Sequence, residues 1–227
     1  EPAPGPSLQN HPPCPAAHPS GRRWLLLMRF GLLNVTGFAL AGAVWAEGWL
    51  DELVRTDTTR LSALIGLVFL FGLARCGQRV LAVSGELDQL QEERFGPASR
   101  AGAHLALARG QDATARASLA AGLKLELAAR IAGVRHVADS LVMLGLIGTV
   151  IGFVIALGGV DPSTAGDASA IAPMVSGLVS GMSTALYTTL VGAVLNIWLM
   201  LGYRLLEGGT LRLFTGIVAL GERHGQP

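Results

Sequence analysis

The sequence predicts an all-α, polytopic membrane protein with four transmembrane helices and with long helices that extend into the cytoplasm. Of its 227 residues, 51% are hydrophobic and only 15% are charged, whereas soluble proteins carry about 25% charged residues. The mean hydropathy is accordingly positive, at +0.49. Four uncharged stretches can be tested against the bilayer, whose hydrocarbon core takes about 20 helical residues.

The same composition excludes several classes of function. Seventeen basic and sixteen acidic residues give a net charge of +1, which is too balanced for nucleic-acid binding by a basic surface. Cys14 and Cys76 are far apart and show no CxxC or Cys/His spacing, so we expect no metal site and no disulfide. No nucleophile with a base and no phosphate-binding loop is visible, so we expect no enzymatic activity and no cofactor.

The amino-terminal part of the chain divides into a tail and two membrane helices. Residues 1–22 hold seven of the eleven prolines, a composition that cannot bury a core and predicts a disordered cytoplasmic tail. Residues 23–76 supply two transmembrane helices, from the runs Phe30–Ala46 and Leu61–Ala74, joined by a short outer loop. The second run has only 14 uncharged residues, so it spans the bilayer only if the flanking arginines reach towards the headgroups.

Residues 139–204 supply the other two membrane helices, from the runs Ser140–Val160 and Ala168–Tyr203. The last run has 36 uncharged residues, which is about 54 Å of helix and too long to lie wholly in lipid. Because proline suits the first helical turn, Pro173 predicts that this helix begins near Ile171.

The distribution of basic residues predicts the orientation. Fifteen Lys and Arg residues fall on one side of the four runs and two on the other, so the positive-inside rule places both termini and the 75–139 loop in the cytoplasm. Residues 47–60 and 161–167 then lie outside. The carboxyl-terminal segment 205–227 is cytoplasmic, and the apolar pattern of Leu205–Leu220 predicts a short amphipathic helix there.

The cytoplasmic loop, residues 77–138, is predicted to be largely helical. Its two parts, Gln78–Phe95 and Ala101–His136, are rich in Ala, Leu, Glu and Arg, which favour helix. The pair Gly96-Pro97 separates them. The first part can continue the second membrane helix and the second part can run into the third, which would give a cytoplasmic helical bundle.

The last two membrane helices contain no Asp, Glu, His, Lys or Arg. Such a group inside the membrane is the usual mark of a proton relay, so if protons cross here, another polypeptide carries the titratable group. Both helices instead carry small residues at i, i+3 or i+4 spacing, which lets helices approach closely. These helix-packing candidates are Gly145, Gly148, Gly152, Gly177, Gly181, Ala185 and Gly192.

From the pattern alone, ordinary helix packing is the leading interpretation of these small-residue faces. Thr149 and Thr189 lie on the same faces, and a threonine hydroxyl that bonds a carbonyl one turn back needs no other partner. Thr188 lies about 100° round the helix from Thr189, so it should tolerate loss of its hydroxyl better if it faces protein or lipid.

Two stretches of these helices resemble the paired signature of the MotA/TolQ/ExbB proton-channel family. They are LGLIGTVIGFVIAL, residues 144–157, and GMSTALYTTLVGAVL, residues 181–195. The order of the two stretches, the short outer hairpin between them and the preceding cytoplasmic segment match as well. The resemblance covers residues 75–205.

The resemblance implies an A-type subunit of an ion-driven energising complex of the bacterial inner membrane. In that family a pentameric ring of A subunits surrounds the single transmembrane helices of a B-type dimer of the MotB/TolR/ExbD kind. The B-type helix brings a membrane aspartate that carries the proton. Thr149 and Thr189 match the family's pore-facing threonines, so the resemblance implies that they are ion-pathway residues.

The sequence departs from the family pattern in places. Members similar to TolQ and ExbB carry a glutamate where this chain has Thr184, and the four predicted spans are closer to MotA. The loop is short for a flagellar stator, however, which speaks against contact with a flagellar rotor. The ion, proton or sodium, and the load that is moved stay open. Two other interpretations are a non-conducting membrane scaffold and a small-solute transporter, although no inverted repeat supports the latter.

Overall fold

The computed structural model describes residues 22–48, 60–91, 102, 107, 111–160 and 168–224 of the protein. It contains four long α-helices: α1 (Arg22–Ala46), α2 (Leu61–Gln91), α3 (Ala113–Gly158) and α4 (Ala168–His224). The described residues form no strand, and the all-α prediction is confirmed. By length and composition all four helices can cross a membrane, so the expectation of four helices able to span the bilayer is confirmed.

Several predicted features lie outside the described residues. They are the proline-rich tail up to residue 21, most of the outer loop at 49–59, the break at Gly96-Pro97, most of the segment 92–110 and the outer hairpin at 161–167.

Helices α2, α3 and α4 extend well beyond the bilayer. They have 31, 46 and 57 residues, or about 46, 69 and 85 Å, against a hydrocarbon core of about 30 Å. The second membrane helix continues into the loop, and the loop runs into the third, as the sequence predicted. The domain boundaries drawn after residues 76, 138 and 204 therefore fall inside continuous helices.

The expectation of a separate short helix after Arg204 is wrong, because α4 runs unbroken to His224. The pair Gly208-Gly209 does not end the helix. A Cβ added to Gly209 would lie 3.0 Å from Leu26 Cδ2 and 3.5 Å from Val83 Cγ1, so this glycine lets α4 approach α1 and α2. Tertiary packing here outweighs the low helix propensity of glycine.

Helix α3 begins with a capping side chain, whereas α4 begins earlier than the sequence predicted. Asp112 caps α3, since its side chain accepts a hydrogen bond of 2.9 Å from the Ala115 N–H, a preferred role for aspartate. Helix α4 begins at Ala168 rather than near Ile171, and Pro173 lies inside the helix instead of in its first turn.

Helices α3 and α4 pack against each other in antiparallel fashion and make the largest contact of the described chain, with α2 lying against both. Large side chains fill this contact in the first part of α3 and the second part of α4. They recur every three or four residues, as interlocking helices require. The buried set is Leu123, Leu127, Ile131, Val134, Ala138 and Leu141 on α3, with Leu199, Tyr203, Leu206, Leu213 and Ile217 on α4.

Trp198 of α4 connects α1 to the other helices. Its indole ring lies 5.0 Å from the rings of Phe38 on α1 and Phe69 on α2, within the range of favourable aromatic contacts. A Cβ added to Gly37 would overlap the indole, so this glycine makes room for the tryptophan. Helices α1 and α2 are thereby held on one side of the α3–α4 pair.

Candidate functional site

Glycines bring α3 and α4 into backbone contact between the second part of α3 and the first half of α4. A Cβ added to Gly152 would lie 2.6 Å from Ala185 Cβ, and one added to Gly181 would lie 2.6 Å from the Gly152 carbonyl oxygen. At Gly192 an added Cβ would lie 2.7 Å from the Leu141 carbonyl oxygen. These distances leave no room for a side chain, so the contact depends on glycine.

The distance between α3 and α4 differs from one glycine of the small-residue faces to the next. A Cβ added to Gly145 would lie 3.3 Å from Thr189 Cα, and one added to Gly148 would overlap the Thr188 hydroxyl. At Gly177, in contrast, an added Cβ would meet nothing within 4 Å. Gly177 therefore lies apart from the close contact that the other predicted glycines make.

The hydroxyls of Thr149 and Thr189 donate their protons to main-chain carbonyls within the chain. Thr189 Oγ1 donates across the helix pair to the Gly145 carbonyl at 3.0 Å, whereas Thr149 Oγ1 donates to the Leu146 carbonyl of its own helix at 2.6 Å. A hydroxyl has one proton and two lone pairs. Both oxygens therefore keep the capacity to accept hydrogen bonds from a further donor.

Thr149 and Thr189 lie on the same side of the α3–α4 pair, away from α1 and α2. On α3, Val137 faces α2, because a Cβ added to Gly72 of α2 would lie 2.7 Å from Val137 Cγ1. Thr149 is about 120° further round α3 and therefore faces away from α2. On α4, Thr189 is about 180° from Trp198. We call this side the open face, and its exposed apolar side chains include Leu146, Phe153, Met182 and Leu186.

Two other hydroxyls are buried within the chain rather than on the open face. Thr188 is 0% exposed, and its hydroxyl lies 3.0 Å from the Thr184 carbonyl and 3.1 Å from the Ala185 carbonyl. Thr184 is 2% exposed and donates to the Ser180 carbonyl at 3.1 Å. Because Thr188 lies against Gly148, a valine methyl in place of its hydroxyl would crowd the contact between α3 and α4. Replacement of Thr188 is therefore less neutral than the sequence suggested.

The family model of the MotA/TolQ/ExbB proton channel family matches residues 101–217 of the sequence, which is just over half of the chain. The chain belongs to this family. The match contains all of α3 and most of α4, so both threonines and the glycine contact lie within the MotA/TolQ/ExbB region. Comparisons with curated proteins and with solved structures found no match.

Asn196 is a polar side chain of the MotA/TolQ/ExbB region that the sequence patterns above did not single out. It lies on α4, seven residues after Thr189, and its Oδ1 is buried with no hydrogen-bond partner in the part of the chain that the structure describes. The amide itself, within the uncharged run 168–203, was the sequence signal that could have identified it. Among the described residues no three His, Cys, Asp or Glu side chains come together as metal ligands.

Proposed function

We propose that the protein is a ring-forming inner-membrane subunit of a proton or sodium driven energising complex. With a single-span B-type partner it couples ion flow to mechanical work or to transport across the envelope. The observation that carries this proposal is the placement of Thr149 and Thr189 together on the open face, in a chain of the proton-channel family.

The hydrogen bonds of the two threonines suit this role. Each hydroxyl proton is held by a carbonyl of the chain, so each oxygen offers acceptor lone pairs to the open face. An ionised carboxylate accepts hydrogen bonds only, whereas a protonated carboxyl, a water or a hydrated cation can donate to or be coordinated by such oxygens. The threonines therefore match a partner aspartate while it carries its proton, and the water around it.

The open face also suits helices from other chains. Leu186 is 69% exposed, and Phe153 is 55% exposed in the single chain, so a partner helix can pack directly beside Thr149 and Thr189. The uncharged spans of α3 and α4 have no carboxylate of their own, which supports a partner that supplies the titratable group. We propose a homo-oligomeric, pentameric ring around a partner of the MotB/TolR/ExbD kind that carries a membrane aspartate.

The membrane potential supplies the driving force for this coupling. One elementary charge that moves down a membrane potential of 100 mV releases about 2.3 kcal/mol of free energy. That free energy is several times larger than the average interhelical hydrogen bond in a membrane, about 0.6 kcal/mol. Passage of a few ions can therefore rearrange the contacts between the ring and its partner helices.

The decisive test compares ion flux through the protein alone and through the complex with its partner. Reconstituted alone in liposomes, the chain should leave an imposed pH gradient and a sodium gradient intact, because an uncompensated charge in the hydrocarbon costs several kcal/mol. Reconstitution with the single-span partner should give flux that the potential drives, and Asp→Asn in the partner's helix should abolish it.

Two results would count against the proposal. Rapid flux through the chain alone would show that the titratable group is not needed, and a stable complex without any flux would indicate the scaffold interpretation instead.

The proposed orientation has its own test in intact cells. In a background without Cys14 and Cys76, we expect cysteine at Ser163 to react with a membrane-impermeant thiol reagent, because the proposed orientation puts the sequence between α3 and α4 outside. Cysteine at Thr114, exposed near the start of α3, should react only after the membrane is permeabilised, because basic residues favour the cytoplasmic side. Labelling of position 114 in intact cells would refute this orientation.

A further inference from the structure

Asn196 is a strongly polar side chain in the membrane span of α4. Its Oδ1 is shielded from solvent and has no hydrogen-bond partner among the described residues, although an unpaired polar atom in a low-dielectric environment is costly. Buried polar atoms without a protein partner are typically satisfied by water or an ion. The amide oxygen therefore indicates a place where water or a cation binds.

The position of Asn196 connects it to the two threonines. Seven residues separate it from Thr189, which is about 10.5 Å along the helix and within about 20° of the same angular position. It therefore lies along the α3 side of the open face, in the direction of Arg204. The oxygens of Thr149, Thr189 and Asn196 can all act as acceptors, which is what a hydronium or sodium ion requires.

A cavity lies one helical turn past Asn196 on α4. It has a volume of about 450 Å³ and is lined by Arg135, Met200, Tyr203, Arg204 and Glu207. Met200 lies four residues, or about 6 Å, past Asn196 on α4, so the cavity begins one turn further along the same helix.

The charges at this cavity are balanced. Arg135 has Asp139 at 3.9 Å, and Glu207 lines the cavity together with Arg204. A cation therefore meets no excess of positive charge there, and water can fill the space.

We propose that Asn196 extends the ion pathway from Thr189 towards the cytoplasm and that this cavity is its water-filled inner mouth. The Asn196 Oδ1 accepts from hydronium or coordinates sodium between the threonines and the cavity. This inference rests on the proposed function, and it adds the route by which the ion leaves the membrane.

The first experiment measures ion flux through the reconstituted complex with its partner, per assembled complex. Asn196→Leu keeps a similar volume and removes the acceptor, so we expect flux to fall about tenfold, while Asn196→Ser should retain more of it. Asn34→Leu is the matched control. Asn34 also has a buried Oδ1 without a partner, but it lies on α1, away from the open face, and its replacement should leave flux unchanged.

The second experiment measures water access without relying on flux. In the background without native cysteines, cysteine at position 196 in membrane vesicles with the cytoplasmic face outward should react with a charged methanethiosulfonate reagent. Cysteine at Val194, which is exposed on a different face of α4, should react at least tenfold more slowly, because lipid or a neighbouring subunit excludes the charged reagent.

The two experiments separate this inference from the proposed function. If the native complex conducts but Asn196→Leu conducts equally well, or if position 196 reacts no faster than position 194, Asn196 is a packing residue and the inference is overturned. If position 196 is water-accessible but no complex conducts, the polar route exists and the energising function fails instead.

Discussion

Thr189→Val and Thr149→Val are each expected to reduce ion flux through the assembled complex about 10- to 100-fold. Valine keeps the volume and the β-branched shape of threonine but removes the acceptor oxygen. A hydrogen bond to a charged group contributes about 1.5–3 kcal/mol, and each 1.4 kcal/mol corresponds to about tenfold in rate. Flux should be measured in liposomes and normalised to the amount of complex that co-purifies with the partner.

Assembly of these variants should be nearly unchanged. Thr189→Val removes the hydrogen bond to the Gly145 carbonyl, yet interhelical hydrogen bonds in membranes average only about 0.6 kcal/mol. Thr149→Val removes a bond within its own helix.

Two further valine variants separate a pathway role from packing. Thr215 is exposed on the extension of α4, and its hydroxyl lies near the Leu211 and Arg212 carbonyls. It is about 39 Å along the helix from Thr189, so Thr215→Val should conduct normally. Thr188→Val should instead lower complex yield, because Thr188 is fully buried against Gly148. If Thr149→Val and Thr189→Val lose only yield and not flux per complex, their hydroxyls serve packing.

Gly181→Ala should destabilise the protein by about 1–3 kcal/mol, the typical cost of overpacking. The added Cβ would lie 2.5 Å from the Ala156 nitrogen and 2.6 Å from the Gly152 carbonyl oxygen. Both are backbone atoms that no side-chain rotation can move, so α3 and α4 must separate. Denaturant titration of the purified protein in detergent should show a lower midpoint and a lower yield of the complex.

Gly177→Ala provides the matched control, one turn earlier on the same helix. Its added Cβ would meet nothing within 4 Å, and alanine in a helix interior is favoured over glycine by about 0.5–1 kcal/mol. Stability should therefore stay equal or increase. Equal destabilisation by both alanine variants would show that the close contact between α3 and α4 is not where the structure has it.

Much of the fold could be predicted because the relevant information is local in the sequence. Uncharged runs identify the four spans, the second with help from its flanking arginines, and the absence of carboxylates from the uncharged runs 140–158 of α3 and 168–203 of α4 is a matter of residue type alone. The glycines and threonines of the candidate site were also visible as a periodic pattern. The sequence wrongly predicted a separate helix after Arg204. Gly208 and Gly209 remain helical, so α4 continues to His224.

The sequence by itself thus determined the class of protein, the number of spans and the residues available to the site. Only the tertiary structure decided that Gly181 is in tight contact and Gly177 is not, that the Thr189 hydroxyl crosses to Gly145, and that Thr188 is buried. These outcomes depend on the rotation and register of α4 against α3. Because residues tens of positions apart set that register through their combined packing, no local pattern in either helix contains it.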